Sequence, residues 1–136
     1  MNSLKIFTDG GARGNPGPAA IGMVIKDEKD KVIWKNGKTI GTATNNQAEY
    51  KGLIEALREV RELNLSPETI DCFLDSNLVV QQMKGKFKIK SAGLKTLWKE
   101  AKSLELSLKT KINYHHIPRE KNSQADSLLN QALDLL

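Results

Sequence analysis

The chain has 136 residues, with 21 Lys and Arg against 16 Asp and Glu, a net charge of +5 and a 39% hydrophobic content. That size suits one domain, 1–136, with a real core, since domains near 150 residues bury about 68–70% of the unfolded surface. No apolar run approaches the ~18–20 residues of a membrane helix, the opening MNSLKIFTDGG has no secretory apolar region, and Cys72 stands alone, so we expect a monomeric cytoplasmic chain, off the membrane and free of disulfides.

In chain order, residues 4–8 form a short β-rich run stopped by the turn signal Gly10-Gly11, and residues 19–26 and 32–42 read as two more strands around the polar turn 27–31. Together they predict an antiparallel meander. Residues 46–63 carry Leu53, Ile54, Leu57 and Val60 at helical spacing, with Asn45 or Asn46 as N-cap and Pro67 beyond the stop. Residues 69–74 read as a fourth strand without an alternating polar face, as in a buried central strand. Ser76 caps a short helix through Met83, Gly85 breaks it, and residues 92–106 form another helix on Leu94, Leu97, Trp98 and Ala101. Residues 110–117 are the fifth strand and 123–136 the last helix. The order β-β-β-α-β-α-α-β-α predicts an α/β fold, a mixed five-stranded sheet with helices on both faces. Right-handed crossovers then place strands one, four and five side by side and parallel.

Four carboxylates sit where these elements begin or end. Asp9 and Asp75 follow strands, Glu49 opens a helix and Asp126 lies in the first turn of the last helix. In open α/β sheets the functional crevice lies at the carboxyl ends of parallel strands, so the topology gathers acids that the sequence separates. Clustered carboxylates suit hard cations such as Mg²⁺, which takes oxygen ligands. Two such ions about 3.5–4 Å apart clamp the attacking and leaving oxygens in phosphodiester cleavage. GGARGNPGP lacks the GK[ST] of a phosphate-binding loop, and no helix opens after it as in a dinucleotide site.

Between Lys84 and Lys102 there are seven lysines and one acid, Glu100. In KGKFKIK the lysines alternate, so an extended segment puts Lys84, Lys86, Lys88 and Lys90 on one side and Phe87 and Ile89 on the other. We read this as a surface that tracks phosphates. Phe87 is a candidate for stacking on a sugar, whereas the spacing of Trp98 places it in the core.

The blocks TDGGARGNPGP, TNNQAEYKGLIEAL, DSNLVVQQM and IPREKNSQADSLLNQAL resemble, in order, the four signature blocks of type 1 ribonuclease H. The resemblance covers nearly the whole chain and each block holds an acid at the matching place. It implies endonucleolytic hydrolysis of the RNA strand of RNA–DNA hybrids, with Mg²⁺ (or Mn²⁺) on Asp9, Glu49, Asp75 and Asp126, leaving 5′-phosphate and 3′-hydroxyl ends. It further implies that Gly14, Asn15 and Asn46 read 2′-hydroxyls, and that Asn15, Thr44 and Ser76 hold a phosphate of the DNA strand. Lys86 and Lys88 extend that grip. Members of the family carry an auxiliary histidine ahead of the fourth acid, and counting back from Asp126 reaches His116. HHIPREKN is shorter and more strand-like than that loop, which leaves Arg119 or Glu120 as alternatives for managing product exit. The chain also lacks the long basic protrusion of some members, as in the compact variant. A non-catalytic hybrid-binding module is disfavoured by four acids facing phosphates, and a DNA-junction nuclease has no use for Asn15 and Asn46.

Overall fold

The computed structural model describes residues 2–136. Its elements are β1 (Ser3–Ala12), β2 (Gly17–Asp27), β3 (Val32–Ala43), α1 (Asn45–Glu62), β4 (Thr69–Leu74), α2 (Asn77–Met83), α3 (Ala92–Leu108), β5 (Lys111–His116) and α4 (Ser123–Asp134), with a 3₁₀ turn at Arg119–Lys121. The sheet order is β3-β2-β1-β4-β5. The first three strands pair antiparallel, and β1, β4 and β5 are parallel, which is the expected arrangement.

Side-chain alternation decides which face each helix covers. On β1, Leu4, Ile6, Thr8 and Gly10 share one face and are fully buried or nearly so. There α1 docks with Tyr50, Leu53, Leu57 and Val60, and α3 closes the layer from outside with Leu94, Ala101 and Leu104. The opposite face receives α4. A Cβ on Gly22 would stand 2.0 Å from the Ala125 carbonyl oxygen, and one on Gly37 2.4 Å from that of Leu128. Those two glycines are what allow α4 to lie directly against the sheet.

Four expectations change. β1 does not stop at residue 8. Its parallel ladder to β4 ends at Thr8↔Leu74, but its antiparallel ladder to β2 continues to Ala12↔Ala19. Gly10 and Gly11 therefore lie within a strand, and a Cβ on Gly10 would meet the Ala48 backbone at 2.2 Å. The N-cap of α1 is Thr44 rather than either asparagine. Its hydroxyl accepts from the Gln47 amide at 3.1 Å, and the Gln47 side chain accepts from the Thr44 amide at 2.9 Å, a reciprocal capping box. β4 does alternate, because only Ile70, Cys72 and Leu74 face α1. Phe73 lies half-open on the other face, stacked between Phe7 and His115 at 4.8 and 4.9 Å. Residues 84–91 adopt no regular strand, and Phe87 is 46% exposed. Elsewhere boundaries move little: α3 runs to Leu108, β5 spans Lys111–His116 and α4 ends at Asp134.

Candidate active site

Where the parallel ladder ends, Asp9 projects from within β1 beside Asp75, which follows β4 directly, and α1 brings Glu49 over them. One carboxylate oxygen from each of the three lies within 4.8 Å of the others. Asp9 is 4% exposed and Glu49 5%. The Gly10 amide donates to both, to Asp9 Oδ1 and to Glu49 Oε1, each at 2.9 Å. The close approach of α1 that Gly10 permits is thus the same feature that seats Glu49. Among the described residues, one oxygen on Glu49 (Oε2) and one on Asp75 (Oδ2) are buried without any hydrogen-bond partner. A buried polar atom left unsatisfied costs about 1–3 kcal/mol, more if charged, so this is an arrangement kept at a loss to stability.

The electrostatics follow from burial and crowding. Burial, and then the Asp75 and Asp126 charges, push Asp9 up to about 7 against the adjoining Glu49 carboxyl, which lowers it. Burial first, then the adjoining Asp9 carboxyl, holds Glu49 well above the ordinary carboxylate range. Asp75 is raised by burial, while the Asn122 amide, Arg119 and His116 pull it down. Asp126 sits outside the three-acid set but acts on Asp9 and Asp75, and it lines the same open cavity of about 470 Å³.

No sequence pattern marks Asn122 as part of the site. It is 1% exposed and its side-chain amide donates to the Thr8 carbonyl at 2.8 Å. The Asp126 amide in turn donates to the Asn122 carbonyl at 3.1 Å. The start of α4 is thus pinned to the strand that bears Asp9, and Asp126 rides on a packed helix rather than on a mobile end.

The other expected residues divide. Asn46, Ser76 and His116 line the acid cavity, as do Arg13, Arg119 and Asn130. Ser76 caps α2, accepting from the Val79 amide at 3.3 Å. Gly14, with φ of 96°, and Asn15 lie on the exposed β1–β2 turn, where Asn15 accepts from the Asn45 amide at 3.0 Å. His115 points elsewhere, stacking on Phe73 and bonding Asp71 at 2.8 Å. Lys86 and Lys88 lie apart from the acids, exposed beside Phe87, Leu78 and Leu94. Trp98 is partly buried against the core, and Cys72 is buried and free.

A family described as reverse transcriptase-like matches residues 7–132. A bifunctional protein of Mycobacterium tuberculosis is 42% identical over 132 residues, 96% of this chain but 35% of that protein, so the chain spans about a third of its length. A ribonuclease H of Ruthia magnifica is 34% identical over 151 residues, covering 98% of this chain and 97% of the relative. Among solved structures, LC11-RNase H1 in complex with an RNA/DNA hybrid is similar at a TM-score of 0.93 and 42% identity, covering 97% of each chain. No helix among the described residues is long and apolar enough to cross a membrane. With this sheet order, this acid cluster and these relatives, the chain belongs to the type 1 ribonuclease H family, in the compact form that has no helix between α2 and α3.

Proposed function

We propose that the chain is an endonuclease that hydrolyses the RNA strand of RNA–DNA hybrids by two-metal-ion catalysis, leaving 5′-phosphate and 3′-hydroxyl ends. The observation that carries this reading is the cluster of buried Asp9 and Glu49 with half-buried Asp75, in which one oxygen each of Glu49 and Asp75 has no hydrogen-bond partner among the described residues. All the donors are hard oxygens, which fits Mg²⁺, with Mn²⁺ as a substitute. Asp9, Glu49, Asp75 and Asp126 would hold the ions. When bound, the metal pair supplies a water made nucleophilic near neutral pH and positive charge for the attacking and leaving oxygens.

The protein's own part is placement. No side chain serves as a covalent nucleophile. Thr44 and Ser76 each accept a helix amide with the hydroxyl oxygen, which leaves both hydroxyl protons free to donate to a phosphate. With Asn15 they form the grip on the DNA strand. Asn46 and the Gly14 backbone face the position where 2′-hydroxyls distinguish RNA. His116, at the cavity edge, assists proton transfer or product exit. Lys86 and Lys88 add phosphate contacts farther along the hybrid. The protein works as a cytoplasmic monomer. A related enzyme solved with an RNA/DNA hybrid supports the choice of substrate.

The experiment is incubation of the pure protein with labelled hybrid, RNA duplex, DNA duplex and single strands, with Mg²⁺ and with chelator. The expected result is cutting confined to the RNA of the hybrid and abolished by chelator. Comparable cutting of DNA duplex would sink the assignment.

A further inference from the structure

Gln82 is 3% exposed, an amide placed among the apolar residues of α2. Buried amides persist where their polar atoms are satisfied, and Gln82 reaches three different parts of the molecule. Its side-chain oxygen accepts from the Tyr50 hydroxyl at 2.6 Å, its side-chain nitrogen donates to the Lys88 carbonyl at 3.3 Å, and its main-chain carbonyl accepts from the Trp98 indole at 3.2 Å. The orientation of the amide is fixed by chemistry. The Lys88 carbonyl can only accept, so the nitrogen must face it. That leaves the oxygen facing Tyr50, whose hydroxyl donates to it.

The segment that Gln82 touches has little else to hold it. After Gly85, with φ of 77°, residues 86–90 form no regular element. The Lys86 and Phe87 amides both donate to the Gln81 carbonyl, at 2.8 and 3.2 Å. Beyond Phe87, among the described residues, the backbone of 88–90 receives one hydrogen bond from the rest of the protein, that of Gln82. Ile89 rests partly buried on the core. Lys84, Lys86, Lys88 and Lys90 are all exposed and repel one another. A short basic segment of this kind samples many conformers unless it is tied, and ordering it at the moment of binding weakens the grip.

We infer that Gln82 is a positioning residue for the proposed reaction: the chain Tyr50–Gln82–Lys88 fixes the basic segment 84–91 in register with the helix that carries Glu49, and so sets the grip on the hybrid. Tyr50 directly follows Glu49 on α1, so a single line of hydrogen bonds runs from the acid helix to the phosphate-tracking lysines. Gln82 touches no substrate itself. The inference rests on the functional reading above, but one of its readouts does not.

The test uses the full chain with Gln82→Met, which keeps length and bulk but has no amide. Gln82→Asn is the second variant, in case the first does not fold, since it keeps the amide but withdraws it from the Lys88 carbonyl by one methylene. Val60→Ala, a buried position on α1 away from the segment, serves as a matched loss of stability. The expected result is a KM for hybrid raised several-fold with kcat within about twofold of wild type. The log–log salt slope of binding should fall by about 0.7–0.9 for each phosphate that the lysines no longer reach. Trypsin should cut faster after Lys86, Lys88 and Lys90 than in wild type, with or without any nuclease activity. Val60→Ala should show none of these changes at equal thermal loss. Unchanged tryptic cutting, or an equal KM rise in Val60→Ala, overturns the inference. Inactivity of the wild type towards hybrid instead overturns the functional reading, while the proteolysis result still decides the role of Gln82.

Discussion

Asp9 and Glu49 are 4% and 5% exposed on a central strand and a packed helix, whereas Lys84, Lys86, Lys88 and Lys90 are exposed on a segment with no regular structure. Both regions are charged and both face the same polyanion in the proposed function. They differ in what their charges must do. Charges that organise chemistry need fixed positions and a low-dielectric surround, where each is strong, and they are unstable there without a counter-charge. Charges that grip a phosphate backbone work through water and counterion release, so exposure costs them little. The acid region gives up stability for geometry, and the basic region does not.

The sharpest way to break this comparison is at Asp9. Asp9→Asn keeps the shape of the side chain and removes a charge that only the reacting complex needs in full. Turnover should fall to below about a hundredth of wild type while hybrid binding in chelator is largely kept. Single-turnover rates and a binding titration check both halves. Retention of a tenth of wild-type turnover would mean that Asp9 is not a ligand.

The rigid side can be tested through Gly10. Its Cβ would lie 2.2 Å from the Ala48 backbone, and backbone cannot swing aside as a side chain can. Gly10→Ala should therefore lower stability by about 1–3 kcal/mol, as overpacking does, and should displace Glu49 enough to cut activity even where the protein stays folded. Thermal melts with activity assays at a permissive temperature read this. An unchanged melt would show that α1 is free to move.

How much of this was legible in the sequence follows the same division. Element order and the meeting of Asp9 with Asp75 followed from periodicity and crossover handedness, because both depend on local pattern. Gly10-Gly11 read as a turn, since nothing local says that α1 needs that space. Thr44 carries the T-x-x-Q capping pattern, but asparagine is an equally strong cap and two of them adjoin it. Only the tertiary fold shows Asn45 occupied elsewhere, accepting from the Ala12 amide at 2.9 Å. Asn122 and Gln82 left no sequence signal, because a single buried amide looks like any surface one until its partners are placed. The open face of β4 is hidden in the sequence because Phe73 is apolar, although Phe7 and His115 cover it only in part.

On the basic side the effects should be smaller. Replacing Lys86 and Lys88 together by glutamine should raise KM and flatten the salt dependence of hybrid binding by about 0.7–0.9 log units per log unit of salt for each phosphate released. Stability should stay within about 0.5 kcal/mol, as for exposed positions in general. An unchanged slope would make these lysines a solvated edge and remove one half of the comparison.

The smallest effect tests whether the acid cluster is unstable by itself. An unfolded aspartate titrates near 3.9, whereas burial and its neighbours push Asp9 up to about 7. Below pH 4 both states hold the proton and the cluster carries no penalty. As pH rises from about 4 towards 7 the unfolded chain ionises first, so the folded state loses relative stability across that window, and Glu49 and Asp75 shift in the same direction. In chelator, the melting temperature of wild type should therefore decline between about pH 4 and 7 more than that of Asp9→Asn or Asp75→Asn. At neutral pH both variants should melt a few degrees higher than wild type. The gain is limited because the asparagine amide must find its own partners among the same oxygens. Added Mg²⁺ should reverse the order, since a ligand that binds only the folded state stabilises wild type in proportion to its affinity. If both variants melt lower than wild type in chelator, the aspartates are structural acceptors, and the oxygens of Glu49 and Asp75 that lack partners need a different explanation.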